Sequence, residues 1–385
     1  MAHPAPILLD VSRLVWRRWV GRHLTGIDRV CLAYLRHFGP RAQAVVQHPR
    51  FRRVLGAQAS ARLFAMLGTS ARFRTDLVRG VLRHAAGLAP PGRRDGRLYL
   101  NIGHTGLDRP GFSDWVSQVG VRPVYLIHDL IPITHPEYCR PGEPERHRTR
   151  MRTALDTGVG IIGNSQATLD ALAEFAAAEG MRVPPLLAAR LGTPKPPPAA
   201  AKAPTERPTF VVLGTIEGRK NHLLLLNIWT QLVARLGDEA PRLLVIGQRG
   251  WECEQVLDML DRSVALRGHV VELGDCSDAE VARHLASARA LLFPSMTEGF
   301  GLPLVEALGA GVPVIASDLA VFREIGGGVP DYLNPLDGLG WMRTILDYAD
   351  ENGSGRPAQF ARLKNYRPPG WDAHLAAVDA WLQTL

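Results

Sequence analysis

The chain has 385 residues, 46% of them hydrophobic, with a formal net charge of +8, which is enough for two domains with a core each. No run approaches the ~20 apolar residues of a membrane span; the nearest, His222 to Val233, is broken by Asn227, Thr230 and Gln231. Residues 1 to 90 hold fifteen arginines, no lysine and three acids, a net +12 that leaves −4 for the rest. That basic half has neither a zinc-finger spacing nor an aromatic RNA-binding signature, so nucleic acid is not the expected partner. Cys31, Cys139, Cys253 and Cys276 are too scattered for a zinc site or a disulfide framework, and a reducing cytoplasm suits them. The start, "MAHPAPILLDVSRL", meets Asp10 and Arg13 before any long apolar core, so a secretory signal is not expected.

In chain order, the first half shows four strand-like runs, "PILLDVS", "RLYLNIG", "PVYLIHDL" and "GVGIIGNS", each followed by a polar or glycine-bearing loop, the pattern of an α/β domain. Between the first two runs, Phe73, Leu77, Val78, Val81, Leu82 and Ala85 form a helical stripe bordered by Arg72, Arg74, Arg79 and Arg83. Within residues 60 to 88 this is either a core-facing helix with a solvated arginine face or a helix that lies on an anionic membrane surface. Residues 192 to 208, "GTPKPPPAAAKAPTERP", carry six prolines and cannot continue a helix or central strand, so they read as an interdomain linker.

Beyond the linker, strand and helix alternate: "TFVVLG" with a helix from about His222 to Leu236, "RLLVIG" with a helix to about Leu266, "VVELG" with a helix over 278–288, "ALLFPS" with a helix over 302–310, then "VPVIAS". That alternation predicts a doubly wound parallel sheet. The expected domains are 1–195, a linker over 196–208, 209–368, and a terminal helix over 369–385 that crosses back to the first domain.

The chemistry-bearing residues sit in loops after strands, where parallel sheets bind ligands. After "TFVVLG", Gly214 ends the strand and Arg219 and Lys220 precede a helix. Two adjacent cations at a helix start suit a diphosphate, and the same residues also suit a solvated helix start. No Gly-Lys-Ser/Thr follows, so this is not a Walker loop. In "PSMTEGFGLPLVEALGAGVP", Glu298 lies in a loop and Glu306 in a helix, eight positions apart, with Gly299, Phe300, Gly301 and Leu302 between them. Two carboxylates so placed can accept hydrogen bonds from hydroxyls at two ends of one extended ligand. Glycosidase chemistry needs opposed carboxylates at ~5 to 10 Å, which this spacing does not supply, and Leu304 stands where a GxGxxG dinucleotide motif needs glycine.

The run "PSMTEGFGLPLVEALGAGVPVIASD", with "GTIEGRKNH", "IGQRGW" and "GDCSDAEVARHLASARALLFPS", resembles the nucleotide-binding half of the retaining glycosyltransferases of family four, with the GT-B fold. Upstream, "TGIDRV", "LIHDLIPITHPEY" and "IIGNSQATLDAL" resemble that family's amino-terminal glycine loop, histidine-bearing strand end and serine-bearing loop, in family order. The resemblance implies two Rossmann-like domains facing across a cleft. It implies that Glu306 holds the donor's ribose and Glu298 its sugar hydroxyls. Arg219 and Lys220 neutralise the leaving diphosphate beside the N–H groups around Phe300, Gly301 and Leu302. Gly26 lets backbone approach the phosphate, and His128 sits beside the donor sugar; alone, a histidine at a strand end also reads as structural.

It further implies front-face transfer with retention, no protein nucleophile, no cofactor and no bound metal, the two cations standing in for one. "HDLIPITHPEY" and "GQRGWECEQVL" are similar to mannosyl- and rhamnosyl-transferases of bacterial surface-polysaccharide assembly, so the expected donor is GDP-mannose and the acceptor a glycan or lipid-linked oligosaccharide. His104 and Thr105 in "LNIGHTGL" are the expected acceptor contacts. The expected location is cytoplasmic, peripheral on the inner membrane face, with oligomeric state open. A sugar-nucleotide epimerase of the same fold and a non-catalytic scaffold subunit are the rival readings; the latter usually loses a glutamate or the Arg-Lys pair, and all four are present.

Overall fold

The computed structural model describes residues 7–21, 25–69, 73, 96–193 and 207–385. They fall into two units, one of Met1–Leu130, Pro144–Leu191 and Trp371–Leu385, the other of Ile131–Glu143 and Gly192–Gly370. Of the arginine-bearing stripe expected over residues 72–85, only Phe73 lies inside the described residues, where it is buried. The membrane reading built on that stripe and most of the proline-rich linker lie outside them.

The first unit is built on a seven-stranded sheet. Its strands are β1 (Ile7–Asp10), β2 (Ala42–His48), β3 (Phe51–Val54), β4 (Leu98–Asn101), β5 (Arg122–Ile127), β6 (Gly160–Gly163) and β7 (Leu186–Ala188), in the order β3-β2-β1-β4-β5-β6-β7. Only β3 is antiparallel to its neighbour. The four runs read from sequence are β1, β4, β5 and β6. The other three escaped for identifiable reasons: β3 is an arginine-bearing edge strand with exposed positions, β7 is three residues long, and β2 carries a glutamine, Gln47, that is buried in a polar network.

The second sheet is wholly parallel and comprises β8 (Thr209–Leu213), β9 (Arg242–Ile246), β10 (Val270–Leu273), β11 (Leu291–Phe293), β12 (Val314–Ser317) and β13 (Asp331–Leu333). Its order is β10-β9-β8-β11-β12-β13, the doubly wound order in which strand progression reverses between the first and fourth strands. β8, β9, β11 and β12 are near-continuous buried apolar runs, as strands covered by helices on both faces must be. Their core includes Trp229 and Trp341, both fully buried; Trp229 donates its indole N–H to the Pro241 carbonyl at 2.8 Å and Trp341 to that of Asn334 at 3.0 Å, which satisfies the polar end of each ring.

Two segments depart from a simple split at the linker. The helix Trp371–Leu382 belongs to the first unit, where the buried imidazole of His374 meets the Tyr34 hydroxyl at 2.9 Å and the Ala189 and Arg190 carbonyls. Residues Ile131–Glu143, placed with the amino-terminal domain in sequence, belong instead to the second unit. There the Arg140 guanidinium lies over the Trp251 ring, 4.9 Å from its centroid, an attraction that sequence separation hides.

Candidate active site

In the second unit, the loops after β8 and β11 flank the reversal of strand order, where open α/β sheets bind ligands. They are joined by backbone, the Met296 N–H donating to the Arg219 carbonyl at 2.8 Å. Arg219 and Lys220 lie in a 3-10 turn, Gly218–Lys220, ahead of the helix His222–Leu236. Neither is a solvated helix start: the side chain of Arg219 is 21% exposed and that of Lys220 10%.

Arg219 bridges two carboxylates, at 2.6 Å to Glu217 and 2.8 Å to Glu298, and also donates to the Thr297 carbonyl at 3.2 Å. Lys220 pairs with the other oxygen of Glu298, and its ammonium lies 4.8 Å from the centroid of the Phe293 ring. The Ser295 hydroxyl donates to Glu298 at 2.9 Å. Burial pushes the Glu298 carboxyl up, and the charges of Arg219 and Lys220 reverse this to hold it at about 2. Burial lowers Lys220 despite Glu298 and raises Glu217 despite Arg219.

The result is a formally neutral cluster of two cations and two carboxylates. It keeps both cations desolvated and fixed without a ligand, the preorganisation that makes charges effective toward a developing anion. Glu217 was missed in the sequence because its partnership with Arg219 depends on how the turn closes. His222 was missed too: it is buried, neither ring nitrogen has a hydrogen-bond partner among the described residues, and burial followed by the Lys220 charge lowers it to about 3.

Gly214 ends β8 at φ 140°; a Cβ there would sit 3.5 Å from the Lys220 stem, so its absence leaves that side chain room. Glu298 and Gly299 lie in the loop after β11, Phe300 is buried beside them, and Leu302 and Glu306 lie in the helix Leu302–Gly309. Gly301 turns the chain into that helix at φ 109°, where a Cβ would meet Phe322 at 2.7 Å and Ile325 at 3.2 Å. Gly301→Ala is therefore expected to destabilise the protein by about 2 kcal/mol, read as a lowered urea midpoint; an unchanged midpoint would show that the turn relaxes freely.

The first unit gathers the remaining sequence candidates at the carboxyl ends of its strands. His104 and Thr105 follow β4, His128 follows β5, and Gly26 is the exposed first residue of the helix Gly26–Phe38, behind a Thr25–Asp28 capping box. The rings of His104 and His128 lie 5.2 Å apart, and His147, unread in sequence, is 6.0 Å from His104. Each turns Nε2 to a backbone carbonyl: His104 to Leu126 at 2.8 Å, His128 to Ile102 at 2.8 Å, His147 to Asp129 at 3.0 Å. A carbonyl only accepts, so each Nε2 carries a proton. Burial lowers His128 to about 4. Burial, then the neighbouring imidazoles, holds His104 well below the usual range. Both are neutral near pH 7.

The His104 loop is tied down by a buried network. Asp10 accepts from Gln47 and Tyr99, and Gln47 and Asn101 both donate to the Thr105 carbonyl. Burial raises the Asp10 carboxyl, and these donors satisfy it.

Two parallel-sheet, Rossmann-like units with this topology define the GT-B class of glycosyltransferase folds. Over 98% of its length the chain is similar in fold to the structure of Anabaena Alr3699/HepE in complex with UDP, covering 99% of that chain, with a TM-score of 0.64 and 15% identity. Residues 198–327 match the family model described as Glycosyl transferases group 1. It is 28% identical over 236 residues to the serotype-specific mannosyltransferase WbdA of Escherichia coli, covering 56% of this chain and 29% of that one. It is 36% identical over 162 residues to the phosphatidyl-myo-inositol mannosyltransferase of Mycolicibacterium smegmatis, covering 41% and 40%. The chain thus spans well under half the length of these curated relatives. Among the described residues, no helix is long and apolar enough to cross a membrane.

Proposed function

We propose that this protein is a retaining hexosyltransferase that moves a sugar, mannose by preference, from a nucleoside diphosphate donor to a glycan or lipid-linked oligosaccharide in surface-polysaccharide assembly. The observation that carries this reading is the buried Glu298–Arg219–Lys220 cluster on the two loops that flank the strand-order reversal. The two relatives named for mannosyl transfer favour mannose, and the family match favours transfer over epimerisation.

In this reading Glu306 holds the ribose and Glu298 the sugar hydroxyls. As the bond from the anomeric carbon to the diphosphate oxygen breaks, the electron pair stays with the diphosphate, and Arg219 and Lys220 stabilise the added charge. The acceptor hydroxyl forms the new bond on the same face and its proton passes to a donor phosphate oxygen, so no protein nucleophile is used. Two fixed cations supply the charge compensation that a metal ion provides elsewhere, so none is required. His128 and Gly26 serve the donor, His104 and Thr105 the acceptor.

A thermal-shift panel without added metal, with GDP-mannose, dTDP-rhamnose, UDP-glucose and UDP-N-acetylglucosamine, tests the donor site. One donor should raise the melting temperature by linkage, and Glu306→Ala should abolish that rise. Equal stabilisation of wild type and variant would remove Glu306 from the site.

A further inference from the structure

A second concave site lies in the first unit, away from the residues assigned above. It is a cavity of about 340 Å³ between the hairpin joining β2 to β3 and the helix Phe112–Val119. His48 ends β2, which runs parallel to β1, so the cavity opens at the carboxyl ends of the strands, the side on which such sheets take ligands.

Its walls combine two kinds of group. Phe51 is 45% exposed and stacks with His48 at 5.3 Å between centroids, and Trp115 forms the facing wall, braced edge-on by Tyr99 at 5.4 Å. Arg50, Asp114 and Gln118 also line the cavity, and their side chains have no hydrogen-bond or ionic partner among the described residues. A guanidinium, a carboxylate and an amide thus stand uncommitted beside the exposed Phe51 ring and the half-buried Trp115 ring.

The scaffold around them is fixed. The Arg52 guanidinium donates to Gln47 at 3.2 Å and to the Pro110 and Gly111 carbonyls at 3.0 Å each, and it lies 5.6 Å from the centroid of the Phe112 ring. Gln47 in turn donates to the Thr105 carbonyl at 3.0 Å. The cavity wall is therefore two hydrogen bonds from the loop assigned to the acceptor.

We infer that this cavity is a subsite for a neutral sugar residue of the glycan acceptor, one or more units away from the reacting end. The apolar C–H face of a pyranose stacks on aromatic rings, while its vicinal hydroxyls both donate and accept, which matches a carboxylate, an amide and a guanidinium set side by side. A phosphate or a purely acidic ligand suits the cavity less, because Asp114 faces it. The volume falls at the lower end of small-ligand sites, as one sugar unit requires. The inference rests on the proposal that the protein glycosylates a glycan, but the site itself contains none of the donor residues.

The test is saturation-transfer NMR and calorimetry on the full chain with methyl α-mannopyranoside, an α-linked mannotetraose and maltotetraose, in wild type, Phe51→Ala and Asp114→Ala. Both positions are exposed, so folding is preserved, and donor binding by thermal shift is followed in parallel. At least one tetrasaccharide should bind the wild type and bind each variant at least tenfold more weakly, with the donor shift unchanged. Equal tetrasaccharide affinity in wild type and variants would overturn the subsite. So would donor binding with no saccharide bound, which would leave the donor reading standing. Failure of both donor and saccharides to bind would overturn the subsite and the transferase reading together.

Discussion

Under the proposed transferase reading, Lys220→Met is expected to lower kcat by about 10²- to 10³-fold, the effect of removing one preorganised charge from a developing oxyanion. The methionine keeps an apolar stem beside Phe293, and Glu298 keeps its bond to Arg219 at 2.8 Å, so the loops should hold their shape, while the one excess buried negative charge left behind should lower the melting temperature. Because Lys220 is a compact charge and Arg219 a planar fork, Arg219→Lys should not be silent either: it gives up simultaneous contact with Glu217, Glu298 and the Thr297 carbonyl. Steady-state release of the nucleoside diphosphate measures both. A Lys220→Met enzyme within threefold of wild-type kcat would show that the leaving group does not depend on this cation.

The second large effect is on stability. Glu298→Gln leaves a buried ammonium and a largely buried guanidinium without their shared carboxylate, and removing one partner of a buried pair costs about 3 to 5 kcal/mol. Urea unfolding followed by tryptophan emission reads this. The pH dependence gives an independent signature. The Glu298 carboxyl titrates near 4.5 in an unfolded chain and at about 2 in the folded one. Between those values the unfolded chain binds more protons, so the stabilisation is complete above pH 4.5 and lost as pH falls toward 2. A shift of that size is worth about 3 kcal/mol. The wild type should lose stability through this window and Glu298→Gln should lose that much less; parallel acid profiles would contradict the ion-pair account.

The repeated alternation of apolar runs and helices after residue 209 was legible because each parallel strand is buried on both faces and leaves an uninterrupted hydrophobic signal. Glu298, Glu306, Arg219 and Lys220 were legible as a motif, and their elements follow from glycine and proline punctuation around them. What that motif could not convey is that Arg219 and Lys220 are neutralised by Glu217 and Glu298 before any ligand arrives. The first half was harder to read. Its edge strand Phe51–Val54 is exposed and arginine-bearing, and Gln47 in its neighbour is buried only because Asp10, Tyr99 and Thr105 converge on it.

Chain order, periodicity and loop chemistry thus determined an α/β chain with a doubly wound second half and placed Arg219, Lys220, Glu298 and Glu306 in or just after the loops that follow its strands. The tertiary structure decided the partnerships: Glu217 with Arg219, His147 with His104, Arg140 with Trp251, and the residence of Trp371–Leu385 in the first unit. The physical reason is range. Secondary structure and turns follow from neighbours a few residues apart, whereas desolvation and charge pairing depend on groups brought together across tens to hundreds of residues, and it is these that set whether a lysine is a solvated surface group or a fixed charge in a site.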